Sequence, residues 1–174
     1  NDLSSTRGDV GLGAKGGIKV GSDIFVTGNK TSISGDVTGK CLYMDKGQLE
    51  VDGDLSLYSV KQMKSEEDLL HVKGDFTVGN NTYNTHYESE MTAGTIELEG
   101  DLTFKDLLGN DSYATDGYNP TGTCKTVFCG TGLQTVKGSA GYDNGGIRLG
   151  EVRIQTSRFT MEYPSASVRP NMKL

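Results

Sequence analysis

Tryptophan is absent from this chain, and 174 residues hold only 3 prolines, 3 cysteines and 2 histidines. Each scarcity excludes something. His71 and His86 stand in no recognisable metal or triad pattern, and no GxSxG, P-loop or HExxH signature occurs. No catalytic residue, cofactor or firm metal site is therefore assigned. An odd cysteine count leaves at least one of Cys41, Cys124 and Cys129 unpaired, so there is no closed disulfide framework. If "CKTVFC" is extended, Cys124 and Cys129 lie five steps apart at about 3.3 Å each, roughly 16 Å in all. That exceeds the ~7 Å Cα limit for a bridge. Buried thiols or serine-like fillers are expected, with a bridge across a tight 124–129 loop, or one between molecules, as the open alternatives.

Long hydrophobic runs are missing too. Nothing approaches the ~20 apolar residues of a transmembrane helix, so no membrane insertion of this segment is expected. No signal peptide is visible, and the chain begins at Asn, as a mature or excised segment would. Hydrophobic residues make up 34% and aromatics 7%, which suits a thin core of small aliphatics. Net charge is −6 and the pI about 4.9. Nucleic acid is excluded as a partner, because it needs clustered Lys and Arg.

Glycine is abundant, with 25 copies, and much of it sits in a repeated line. "LEVDGDLSL" at 49–57 is echoed by "LHVKGDFTV" at 70–78, "IELEGDLTF" at 96–104 and "IKVGSDIFV" at 18–26. The odd positions are apolar or small throughout, as in Leu49, Val51, Gly53, Leu55 and Leu57. A shorter piece, Ile33, Gly35, Val37, keeps the phase. Strict period-2 alternation predicts strands with one buried face. The phase runs unbroken through the small residue, which places it at the inside of a corner where a Cβ has no room. Ser22, Gly35, Gly53, Gly74 and Gly100 are the predicted structural corners. A Gly-Asp hairpin is the rival reading. Repetition favours a solenoid, in which each coil copies the bend of the last.

The fold expected is therefore all-β, a parallel β-solenoid (β-helix) with irregular coil lengths and loop excursions. Corner glycines at 35, 53, 74 and 100 are 18, 21 and 26 residues apart, and the surplus must leave the stack. Ser59–Asp68, with one or two helical turns, Gly79–Met91 and Lys105–Gly122 are the predicted excursions. Beyond them, Val127, Cys129, Leu133, Val136, Ile147, Leu149, Val152 and Ile154 read as less regular coils. The divisions expected are 1–16, an N-terminal capping or partner-binding strand; 17–156, the solenoid; and 157–174, a C-terminal strand or tail.

"MTAGTIELEGDLTF" (91–104) resembles "LTAGTLEVKGDFTQ", and "GTCKTVFCGTGLQTVKG" (122–138) resembles "GTHKVILSGTSAQTVSF". Both are units of repeat-rich secreted and surface β-solenoid proteins of Gram-positive anaerobic bacteria. The similarity spans about residues 47–156. Cys124 stands where that family usually has His, and Cys129 where it has a small polar residue. The resemblance implies an extracellular or cell-surface solenoid, and the family has no established catalytic residues to carry over.

Stacked coils would line Asp23, Asp36, Asp54, Asp75 and Asp101 into an outward column about 4.8 Å apart, with Asp9 as a starting rung. Each aspartate is expected to cap its own corner. Calcium between Asp36, Asp54, Asp75 and Asp101 is the second reading, and needs about six to eight oxygens per ion. Thr38, Ser56, Thr77 and Thr103 form a hydroxyl column beside it. Glu97, Glu99 and Asp101 hold lyase-type acids, but no arginine is near. "RGD" at 7–9 and the sequons at Asn29, Asn80 and Asn110 read as chance matches. The function expected is a non-enzymatic structural module, a spacer, fibre subunit or adhesin that self-associates through its open ends. A carbohydrate-binding or polysaccharide-degrading β-helix, lyase-like or tailspike-like, is the alternative. Its partner is a surface glycan stacked on Tyr83, Tyr87, Tyr113 and Tyr118.

Overall fold

A computed structural model describes residues 3–5, 10–13, 17–79, 89–105, 117–138 and 148–162. In chain order the strands are β1 (Leu3–Ser5), β2 (Val10–Gly13), β3 (Ile18–Lys19), β4 (Ile24–Thr27), β5 (Lys30–Ser34) and β6 (Val37–Asp45). There follow β7 (Gln48–Val51), β8 (Leu55–Met63), β9 (Leu69–Val72), β10 (Phe76–Val78), β11 (Glu90–Met91) and β12 (Thr95–Leu98). The last are β13 (Leu102–Phe104), β14 (Lys125–Phe128), β15 (Leu133–Gly138), β16 (Glu151–Ile154) and β17 (Arg158–Glu162). No helix occurs among the described residues.

The strands form two sheets. One has ten strands, ordered β1-β4-β6-β8-β10-β13-β15-β17, with β3 on the early part of β6 and β11 on the late part of β8. The other has seven, ordered β2-β5-β7-β9-β12-β14-β16. Every pairing between named strands is parallel. Both orders climb steadily along the chain, so each coil lays one strand on each sheet and then moves up one level. This is the all-β, parallel-stranded arrangement of a β-solenoid, and among the described residues no antiparallel pair stands for a Gly-Asp hairpin.

Alternation builds the core directly. Ile33, Val51, Val72, Leu98 and Phe128 share one register column in the seven-stranded sheet. Val37, Leu55, Phe76, Leu102 and Val136 share another in the ten-stranded sheet. All ten are buried. Each such side chain removed from water contributes about 1.5–3 kcal/mol of transfer free energy, so these ladders are what hold the two sheets face to face.

Three expectations are corrected. Ser22 bends the chain but does not stand in the glycine column: Ile18 pairs with Val37, Ile24 with Leu42, and the Ser22 carbonyl accepts from Lys40 N at 3.0 Å. Gly17, at φ 78°, stands instead at the Asp36 level, and Ile18 N donates to Asp36 O at 2.6 Å. Pairing thus aligned "GGIKV" with "GDVTG" rather than Ser-Asp with Gly-Asp. The Ser59–Asp68 stretch is not an excursion with helical turns, because β8 runs on to Met63 with Ser59, Val60 and Met63 fully buried. Leu133, read as inward, is 50% exposed, and its neighbour Gln134 is buried in its place.

Val78, Phe104 and Gly138 are register neighbours, and they lie just before segments 80–88, 106–116 and 139–147, which fall outside the described residues.

Candidate functional site

The repeated Gly-Asp pairs converge in space. A Cβ built on Gly53 would collide with Asp36 Oδ1 and the Gly35 carbonyl carbon. On Gly74 it would strike Asp54 Oδ1 and Gly53, and on Gly100 Asp75 Oδ1 and the Gly74 carbonyl. Gly35, Gly53, Gly74 and Gly100 therefore lie one above another. Only Gly35 has a positive φ, 120°, so at the other three it is close approach that demands glycine.

That contact lets each aspartate reach the next coil rather than its own corner. Asp36 Oδ1 accepts from Asp54 N at 2.9 Å, Asp54 Oδ1 from Asp75 N at 2.8 Å, and Asp75 Oδ1 from Asp101 N at 2.8 Å. Asp101 closes the series, with Oδ1 on Thr135 N at 2.8 Å and Oδ2 on Lys137 Nζ at 2.7 Å. Four carboxylates staple five levels of backbone through charge-assisted bonds. The candidate calcium ligands Asp36, Asp54, Asp75 and Asp101 are brought together, but each spends one oxygen on an amide. Among the described residues no group of three or more His, Cys, Asp or Glu gathers as a metal site would. Asp9 lies outside the described residues.

The column ends where glycine gives way to Gln134. Its Oε1 accepts from Gly130 N at 2.8 Å, while Nε2 donates to Leu98 O at 2.9 Å and Gly100 O at 2.8 Å. A buried amide is tolerated because each of its groups finds backbone. The opposite corner of the third coil is fastened by Asp68, 1% exposed, which accepts from Gly47 N at 3.2 Å and from Lys64 N and Ser65 N at 2.9 Å each.

The outer face of the seven-stranded sheet is laced by charge. Lys30 and Lys73 both reach Glu50, at 2.8 and 3.0 Å, and Lys73 also holds Asp52 at 2.6 Å. The two ammonium groups hold Glu50 down to about 2 from an ordinary 4.5, and the carboxylates keep Lys73 charged. His71 Nε2 meets Glu99 Oε1 at 2.8 Å. Of the lyase-type acids, Glu99 and Asp101 are thus engaged by His71 and by Lys137. The basic partner of Asp101 is in space a neighbour and in sequence 36 residues away. On the ten-stranded sheet Thr38, Ser56, Thr77 and Thr103 do fall in one register row, and Phe25 stacks on Tyr43 with centroids 4.8 Å apart.

Tyr118 is not available to a glycan. It is 1% exposed, packed edge-on against Phe76 and Phe104, and its hydroxyl lies 2.7 Å from Thr126 Oγ1, which itself donates to Leu149 O. Tyr83, Tyr87, Tyr113 and His86 lie outside the described residues, as do the "RGD" aspartate and the sequons at Asn80 and Asn110. The thiols are all free, which removes the 124–129 bridge, and β14 runs extended between those two cysteines. Burial, with Asp23 beside Cys41 and Asp68 and Glu66 beside Cys124, pushes both thiols up to about 12. Burial raises Cys129 as well. Thiols so held are poor nucleophiles.

At the upper end β16 and β17 carry no further strand among the described residues. Leu133 and Ile154 are the large hydrophobics exposed among the described residues, and Ile154 continues the buried column Leu98–Phe128. No helix among the described residues is long and apolar enough to cross a membrane. No protein-family model, curated protein or solved structure matches this chain.

Proposed function

We propose that this chain is a non-enzymatic, extracellular structural module, a surface β-solenoid serving as spacer, fibre subunit or adhesin that joins other copies through its ends. One observation carries the reading. Both sheets finish in strands with an unpaired edge among the described residues, β1 and β2 at one end and β16 and β17 at the other. Unpaired parallel edges with an apolar column behind them favour addition of a further strand. The resemblance of residues 47–156 to surface solenoids of Gram-positive anaerobes supports the location. Electron microscopy of the purified chain over a concentration series tests the reading. End-joined particles of constant width are expected, and monodisperse monomers at the highest concentration would count against it.

A second reading has its own support. The segments 80–88, 106–116 and 139–147 are rooted side by side, and the first two carry Tyr83, Tyr87 and Tyr113. A carbohydrate-binding or polysaccharide-degrading β-helix would use tyrosines in such segments, and binding on a glycan array or release of reducing ends would favour it.

A further inference from the structure

We infer that the copies join head to tail and in register, the first coil of one chain continuing the last coil of another, with Lys19 set against Glu162. The inference rests on the end-joining reading above and specifies its seam. Strand direction decides polarity: every strand in both sheets is parallel to its neighbours, so a head-to-tail neighbour extends both sheets at once. A head-to-head neighbour would have to pair two sheets antiparallel together.

The register columns carry the rest. In the seven-stranded sheet, Leu12 pairs with Ile33, and the column passes through Val51, Val72, Leu98 and Phe128 to Ile154. Val10 and Val152 close the column that contains Thr31, Leu49, Leu70, Ile96 and Thr126. Strands β2 and β16 are each four residues long. In the ten-stranded sheet, Ile18 and Met161 end the column of Val37, Leu55, Phe76, Leu102 and Val136. Each apolar level at one end thus finds an apolar level at the same lateral position on the other.

Charge is complementary as well. One step outward, Lys19 and Glu162 end the row of Thr38, Ser56, Thr77, Thr103 and Lys137. Both are exposed, and neither makes an ion pair among the described residues; the Lys137 ammonium next to Glu162 is already bonded to Asp101. Stacked in register, they meet about 4.8 Å apart across the seam. Such a contact uses different patches on the two partners and does not close on itself, so it propagates as a filament.

Sedimentation velocity on the intact chain, at rising concentration, tests this with charge reversals. Lys19→Glu and Glu162→Lys each set like charges at every seam and are expected to weaken association by about tenfold, more at low salt. The double reversal, Lys19→Glu with Glu162→Lys, restores opposite charges and is expected to recover association. Ile154→Ser removes the apolar end of a core column and is expected to weaken association by at least as much. Far-UV circular dichroism matching the parent shows that each variant is folded. Assemblies indifferent to both single reversals, or a double reversal that recovers nothing, would overturn the seam and leave end-joining standing. Monomers at every concentration would overturn both.

Discussion

At the residue scale, small groups decide whether a coil fits on the one below. Gly74 is a clear case, since a methyl there meets the Gly53 backbone as well as the Asp54 carboxylate. Gly74→Ala is expected to lower stability by about 1–3 kcal/mol, read from the urea midpoint at unchanged slope. Thr31 offers the opposite sign. Its hydroxyl is buried and has no hydrogen-bond partner, in a column where its successive neighbours are Leu49, Leu70 and Ile96. Thr31→Val keeps the shape and removes the orphan group, so a gain of about 1 kcal/mol is expected. The same scale shows what the sequence conceals. Gly53, Gly74 and Gly100 are legible because period-2 alternation fails to break at them. Ser22 is misleading because Ser-Asp imitates Gly-Asp locally, while strand pairing places Gly17 and Ile18 against Asp36 and Val37. Tyr118 looks like a loop tyrosine until Phe76 and Phe104, from two other coils, close around it.

At the element scale, coils are fastened at their corners and along the outer face of the seven-stranded sheet. Asp68 satisfies two amides of its own turn and the Gly47 amide of the preceding coil from inside the protein, and Asp68→Ala would leave them bare. A loss of about 2–4 kcal/mol is expected from those orphaned donors together. The Lys30–Glu50–Lys73 bridge gives a pH dependence with a definite sign. Folding lowers the Glu50 carboxyl from 4.5 to about 2, so its stabilisation is complete above the unfolded value and is lost as pH falls from about 4.5 through about 2. Its lysine partners are well exposed, which limits the contribution to about 0.5–1 kcal/mol. Parent and Glu50→Gln proteins should therefore differ by that amount in urea unfolding at pH 7 and converge near pH 2. A constant gap at both pH values would assign the effect to packing. Alternation made β7, β9, β10, β12, β13 and the first part of β8 readable, but not the rest of β8, whose buried Ser59 and Val60 in succession look like the start of a loop. Gln134 escapes the same rule, because its burial depends on carbonyls of the preceding coil.

At the scale of the whole molecule, the aspartate staples, the glycine column and the open ends are consequences of one arrangement, coils stacked in parallel and in register. Tertiary partners such as Asp101 with Lys137, or His71 with Glu99, become visible only once that stacking is known, because uneven coil lengths hide them in the sequence. The stacking also makes the end of a chain resemble its beginning, and the proposed end-joining rests on that likeness rather than on any special motif. A pair of introduced cysteines tests the stacking most directly. Ser56 and Thr77 occupy adjacent levels of one outward row, about 4.8 Å apart and within disulfide range, whereas Ser56 and Thr103 are separated by a further level, at about twice that distance and outside it. Peptide mapping after mild oxidation of the folded protein should find the 56–77 bridge in high yield in Ser56→Cys/Thr77→Cys and no 56–103 bridge in Ser56→Cys/Thr103→Cys. Equal yields in the two, or a bridge only in the second, would contradict the stacked coils and with them the function proposed.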